Sequence, residues 1–114
     1  MSQVNKVTVQ DIEANIKSEH YFTARDGRSG ALLNDTYEGR ETPAADNSDL
    51  IPLELLTFCV LVLKNGFTVT GESACVDPAN FSASIGRSVA RANAINKIWP
   101  LMGYGLKSKL AGVA

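Results

Sequence analysis

Two cysteines and one histidine are the chain's whole stock of thiol and imidazole groups. Cys59 and Cys75 lie in no CxxC motif and no Cys/His cluster, so neither a zinc site nor a disulfide framework is expected. No cofactor-binding motif is present either: there is no Gly-rich phosphate loop and no recognisable nucleic-acid motif, which argues against nucleic acid as a partner. Long hydrophobic runs are missing too. The longest, Leu55 to Leu63, is interrupted by Thr57 and is too short to span a bilayer. No apolar stretch follows Met1, so no signal peptide is expected and the reading is a cytoplasmic, membrane-free protein with reduced thiols. Acidic residues vanish after Asp77, whereas Arg87, Arg91, Lys97, Lys107 and Lys109 follow it.

What remains is an ordinary globular composition. A chain of 114 residues with 45% apolar content suits one domain, 1–114, with a core but little surplus, so partner subunits would help. The net charge of −1 is unevenly placed, acidic over residues 1–50 and basic over 51–114. An acidic part packed on a basic part, within or between subunits, accounts for that, and an anion site is the sharper alternative.

Thr8 followed by Asp11 resembles a capping box, and Val9, Ile12 and Ile16 recur at helical spacing, which predicts a helix over about 9–19. Residues 24–48 are rich in Gly, Asp, Asn, Ser and Thr and predict a long mobile loop. Pro52 suits a short helical segment capped by Ser48 or Asp49. The clearest signal follows. FCVLVL and TVTGE flank Lys64-Asn65-Gly66-Phe67, and Asn65-Gly66 predicts a β-hairpin over about 56–72 with a two-residue turn. That turn would put Phe58, Val60, Val62, Phe67 and Val69 on a core face. Cys59, Leu61, Leu63, Thr68, Thr70 and Glu72 would form a half-apolar second face, covered by the first helix or by another subunit. Asp77-Pro78 reads as a cap with proline at the first helical position. A helix over about 82–99 follows, with Phe81, Ile85, Val89, Ala92, Ile95, Trp99 and Met102 as its apolar stripe. Pro100 should end or kink it before a last short helix to Leu110. The fold class is α+β, a hairpin packed with an N-terminal helix and a long C-terminal helix kinked at Pro100.

Ser82, Gly86, Ala90 and Ala94 make a second, small-residue ridge that admits a close neighbour. With Leu61 and Leu63 from the hairpin, Gly86, Ala90 and Ala94 are candidates for an oligomer interface, most simply a symmetric dimer. Arg87 and Arg91 lie one turn apart with Lys97 beyond, a candidate surface for an acidic partner or for a nucleotide-like anion. Glu72, Ser73 and Asn80 cluster near Asp77 as a possible ligand pocket, against the simpler reading as caps. Catalysis would need His20 to serve Cys75 or Ser73, which no motif supports, so no catalytic residue is expected. Cys59 reads as packing and Cys75 as a small residue before a helix start.

The segments GFTVTGESACV, Asp77-Pro78-Ala79-Asn80-Phe81, Ile85-Gly86-Arg87 and Asn96-Lys97-Ile98-Trp99-Pro100-Leu101 carry a resemblance. With Ser18-Glu19-His20-Tyr21-Phe22 they resemble the Gp-forty-nine-like family of small proteins from tailed bacteriophages and prophages, over most of the chain up to Leu110. Members often carry an acid where Ser82 and Met102 stand here, and their loop varies in length. The resemblance implies expression in the cytoplasm of a bacterial host. It supplies no catalytic residue. By analogy with other small accessory phage proteins it suggests a non-catalytic binder or inhibitor of a host protein. The alternative is a protein that sequesters an anionic small molecule such as a nucleotide. An enzyme is the remotest reading.

Overall fold

The computed structural model describes residues 5–34, 41–46 and 48–113. The chain opens with the expected cap. Thr8 Oγ1 accepts from the Asp11 N–H, and Asp11 returns the bond to the Thr8 N–H, which starts α1 (Val9–Ala14). The helix stops five residues before the expected end. Asn15 closes it, and residues assigned from the sequence to its second half form β1 (Ile16–Thr23) instead. The i+4 spacing of Ile12 and Ile16 is coincidental, while Tyr21, Phe22 and Thr23 are strand formers that prevail once the helix is capped.

β1 pairs antiparallel with β2 (Leu56–Leu63), which pairs antiparallel with β3 (Thr68–Ala74), so the hairpin is two strands of a three-stranded sheet with β2 central. A bulge between Ile16 and Ser18 shifts the β1 register, so Ile16 and Tyr21 both pack towards the core. The hairpin turn has three residues rather than two. Gly66 N–H donates to the Leu63 carbonyl (2.9 Å), Leu63 N–H donates to the Phe67 carbonyl (2.8 Å), and Gly66 takes a φ of 89°. That is a type I turn closed by a left-handed glycine, the usual three-residue hairpin loop. One extra loop residue slips the register by one and swaps the faces. Leu61 stands opposite Val69 and Cys59 opposite Gly71. The core face is therefore Thr57, Cys59, Leu61, Leu63 and Val69, all buried, whereas Phe58, Val60 and Val62 point the other way and are only half-buried.

The expected irregular loop over 24–48 begins with a helix, α2 (Ala24–Asn34), and α3 (Leu50–Glu54) leads into β2. No described residue of α2 is buried, which explains why its sequence carries no apolar stripe to read. Residues 35–40 and 47 of that stretch lie outside the described residues.

A single 3₁₀ turn, Pro78–Asn80, is capped by Asp77 as expected, and α4 (Ala83–Leu110) follows with Ser82 as its side-chain cap. The break foreseen at Pro100 does not divide it. One helix of 28 residues, about 42 Å long, runs through that proline. Its sheet-facing residues are Gly86, Ala90, Ala94 and Ile98. The small-residue ridge thus lies on the sheet, and the reason is Gly71. A methyl group there would sit 2.2 Å from the Ala90 carbonyl oxygen and from the Ala94 nitrogen. Backbone meets backbone at that crossing, and larger side chains on either element would separate them. Beyond it, Ile98 joins Ile12, Leu61 and Leu63 in the core, with Val7, Ile16, Ile95 and Met102 packed around them.

Candidate functional site

Arg91 stands on α4 beside the N-terminal elements. Its Nη1 and Nη2 donate to both oxygens of Glu13 (3.1 and 2.8 Å), and its Nε and Nη2 to both oxygens of Glu19 (2.9 and 3.1 Å). Tyr21 Oη also donates to Glu19 (2.7 Å). One guanidinium therefore ties α4 to α1 and β1, and the acidic and basic parts of the chain meet here within one molecule. The Arg91 hydrogen bonds, then that from Tyr21, hold the Glu19 carboxyl below its usual range, while burial, with Glu19 second, pushes the Tyr21 phenol up. Arg91 is committed, and a ligand would have to displace two carboxylates to reach it.

Lys97 lies over β3, its Nζ 3.4 Å from Thr70 Oγ1. Asn93 donates to the Glu72 carbonyl (2.9 Å), while the Glu72 side chain is exposed. Arg87, Arg91 and Lys97 thus serve three different surroundings and do not form one anion track.

Arg87 opens on a cavity. It lines a cleft of about 410 Å³ with Tyr21, Phe22, Thr23, Arg25, Asp26, Glu54, Thr57, Phe81 and Ala83. Ser73 and Asn80 line a smaller cleft next to it, with Cys75, Ser82, Ile85 and Gly86, and Thr57 borders both. Asn80 supplies no cap to α4; that role is taken by Ser82. A larger cavity, about 570 Å³, lies between α2, α3 and residues 41–45, lined by Asp49 and Pro52 among others and by none of the candidate site residues.

The remaining candidates come apart. His20 sits on edge strand β1 on the face turned from α4, exposed, with Ser18 Oγ 3.1 Å from its Nε2. Ser73 and Cys75 are at the opposite side of the sheet beyond β2, so the geometry does not assemble a dyad. Cys75 Sγ donates to the Asp77 carbonyl (3.2 Å), and Cys59 is fully buried, its thiol pushed up by burial. The residues read as an oligomer interface, Gly86, Ala90, Ala94, Leu61 and Leu63, are buried inside one chain and offer no surface. The face they leave outward carries the stripe read from the sequence as core. Ile85 is 65% exposed, Val89 43% and Trp99 36%. Ala92 and Asn96 continue that face, also exposed, and no charged residue shares it between Ala83 and Gly103. Sequence reasoning also passed over Thr57 and Arg25. The only sign of Thr57 was its polar interruption of the apolar run.

The family model described as Phage protein (N4 Gp49/phage Sf6 gene 66) family matches residues 7–110. The chain belongs to this phage protein family. The match runs from the residue before the α1 cap to the last residue of α4, so it takes in the sheet, the Arg91 network and both clefts. No curated protein and no solved structure matches the chain. No helix among the described residues is long and apolar enough to cross a membrane.

Proposed function

We propose that this phage protein is a non-catalytic binding protein, acting in the host cytoplasm on a host protein as inhibitor or accessory factor, and that it binds through the outward face of α4. The supporting observation is the exposed, uncharged stripe Ile85, Val89, Ala92, Asn96 and Trp99 on a helix whose other side is fixed to the sheet. Protein interfaces are depleted in charge at their centre and anchored by aromatic side chains, and Trp99 supplies such an anchor. An apolar helix face left open on a small protein marks an interaction surface more often than an accident of packing. The same face is the one suited to self-association, since the small-residue ridge is used internally. A second copy of the chain is therefore the other partner the surface would accept.

The test is a photo-reactive amino acid placed at Val89 and, as control, at Glu72, in the full chain expressed in bacteria. A discrete heterologous adduct at Val89, lost when Ile85→Glu is added, is the expected result. An adduct with the chain itself alone would assign the face to oligomerisation and remove the support for a host partner. No adduct at Val89 above that at Glu72 would overturn the proposal.

A further inference from the structure

The cleft beside the first turn of α4 holds two polar groups that the fold does not use. Thr57 is 4% exposed, yet its hydroxyl has no hydrogen-bond partner among the described residues, and the residue lines the clefts on both sides. No fully buried side-chain polar atom lacks a partner among the described residues, so this hydroxyl opens onto the cleft, where it is free to donate to a bound group. Gly86 leaves the room it occupies: a methyl there would stand 3.0 Å from Thr57 Oγ1. The second group is Arg87, which has no hydrogen-bond or ion-pair partner among the described residues.

The other charges around the cleft are already engaged. Arg25 Nη1 donates to Glu54 (2.9 Å), and Asp26 accepts from the Thr23 N–H (2.9 Å) while Thr23 Oγ1 accepts from the Asp26 N–H (3.1 Å). The uncompensated charge is that of Arg87. Ala83, the first residue of α4, also borders the cleft and brings the positive end of a 28-residue helix to it. Phe81 borders both clefts and adds an apolar side, and a volume of about 410 Å³ is within the range of small-molecule sites.

We propose that this cleft binds a small molecule through one anionic group, a carboxylate or a phosphate, with Arg87 as counter-charge, Thr57 donating a hydrogen bond, and the ligand's apolar part against Phe81. The carboxylates of Asp26 and Glu54 at the rim favour a ligand of low total charge and disfavour a polyphosphate. This site is separate from the outward face of α4 and stands or falls independently of it.

The experiment is a titration of the full chain followed by backbone amide resonances, with inorganic phosphate, benzoate and adenosine monophosphate as probes. Saturable shifts centred on Thr57, Ala83, Ser84 and Arg87 are expected with at least one probe at millimolar concentration. Response to phosphate and to the nucleotide would name phosphate as the group, and response to benzoate would name carboxylate. Arg87→Ala should weaken binding about tenfold or more, the loss expected of one charge-assisted hydrogen bond, with Arg87→Lys intermediate. Thr57→Val should weaken it while leaving the amide spectrum folded. Absence of saturable shifts with all three probes, or shifts unchanged by Arg87→Ala, would overturn the proposal.

Discussion

Arg91 is the residue through which the uneven charge of the chain becomes structure. Four of its N–H groups meet two carboxylates in paired contacts, a geometry lysine cannot reproduce. The partners are partly exposed, with Glu13 the more so, and exposed pairs contribute only about 0–1 kcal/mol each. Two joined pairs that cross three elements should therefore cost about 1–2 kcal/mol when removed by Arg91→Ala, measured by chemical denaturation, with Arg91→Lys recovering less than half. The pH dependence follows from directions. Glu19 is held below its unfolded value, so its contribution is complete above about pH 4.3 and fades as the pH falls through the lower folded value. Tyr21 is raised, so its contribution is complete below about pH 10 and fades as the pH rises through the higher folded value. Arg91→Ala should flatten the acid limb, and Tyr21→Phe the alkaline one. An acid limb unchanged in Arg91→Ala would show that the Glu19 shift has another origin.

Among the elements, those with a local chemical signature were legible and those fixed by distant contacts were not. The Thr8–Asp11 box, the Asp77 cap and the Asn65-Gly66 turn are written in adjacent residues, and each appears where the sequence places it. The hairpin faces were not legible because Asn-Gly suits both two- and three-residue loops, and one residue of difference exchanges core and surface. β1 was hidden because Glu19, a charged residue, points to the helix side, where Arg91 and Tyr21 satisfy its carboxylate. The family resemblance was legible in full, and the α+β class with it. Of the candidate site residues, Arg87, Ser73, Asn80 and Gly86 border clefts, whereas Arg91, Ala90 and Ala94 hold elements together. At Pro100 the sequence suggested a break because proline removes the N–H that would bond the Asn96 carbonyl, but the packing of Ile98 and Met102 on the core carries α4 across it. Restoring that N–H with Pro100→Ala should raise stability by roughly 1–3 kcal/mol, read as a higher denaturation midpoint with unchanged slope. A lower midpoint would show that the proline shapes a distortion the fold needs.

The main layer sets α4 on one face of the three-stranded sheet in a molecule of 57 × 34 × 18 Å, and Ile85, Val89, Ala92, Asn96 and Trp99 face solvent on the side opposite the sheet. Such a layer must choose which side of the helix to bury. The chain buries the small side because Gly71 allows the backbones to touch, and it leaves the large apolar side open. The proposed binding surface depends wholly on that choice, since burying Ile85, Val89 and Trp99 would leave nothing outward for a partner. Equilibrium denaturation of Ala90→Leu beside Val89→Glu tests it most directly. Overpacking at the crossing should make Ala90→Leu lose about 3 kcal/mol, while a charge at an exposed position should make Val89→Glu lose less than about 1 kcal/mol. The reverse order, with Val89→Glu unfolding and Ala90→Leu tolerated, would mean that the apolar stripe is the core and that the outward face of α4 is not a binding surface.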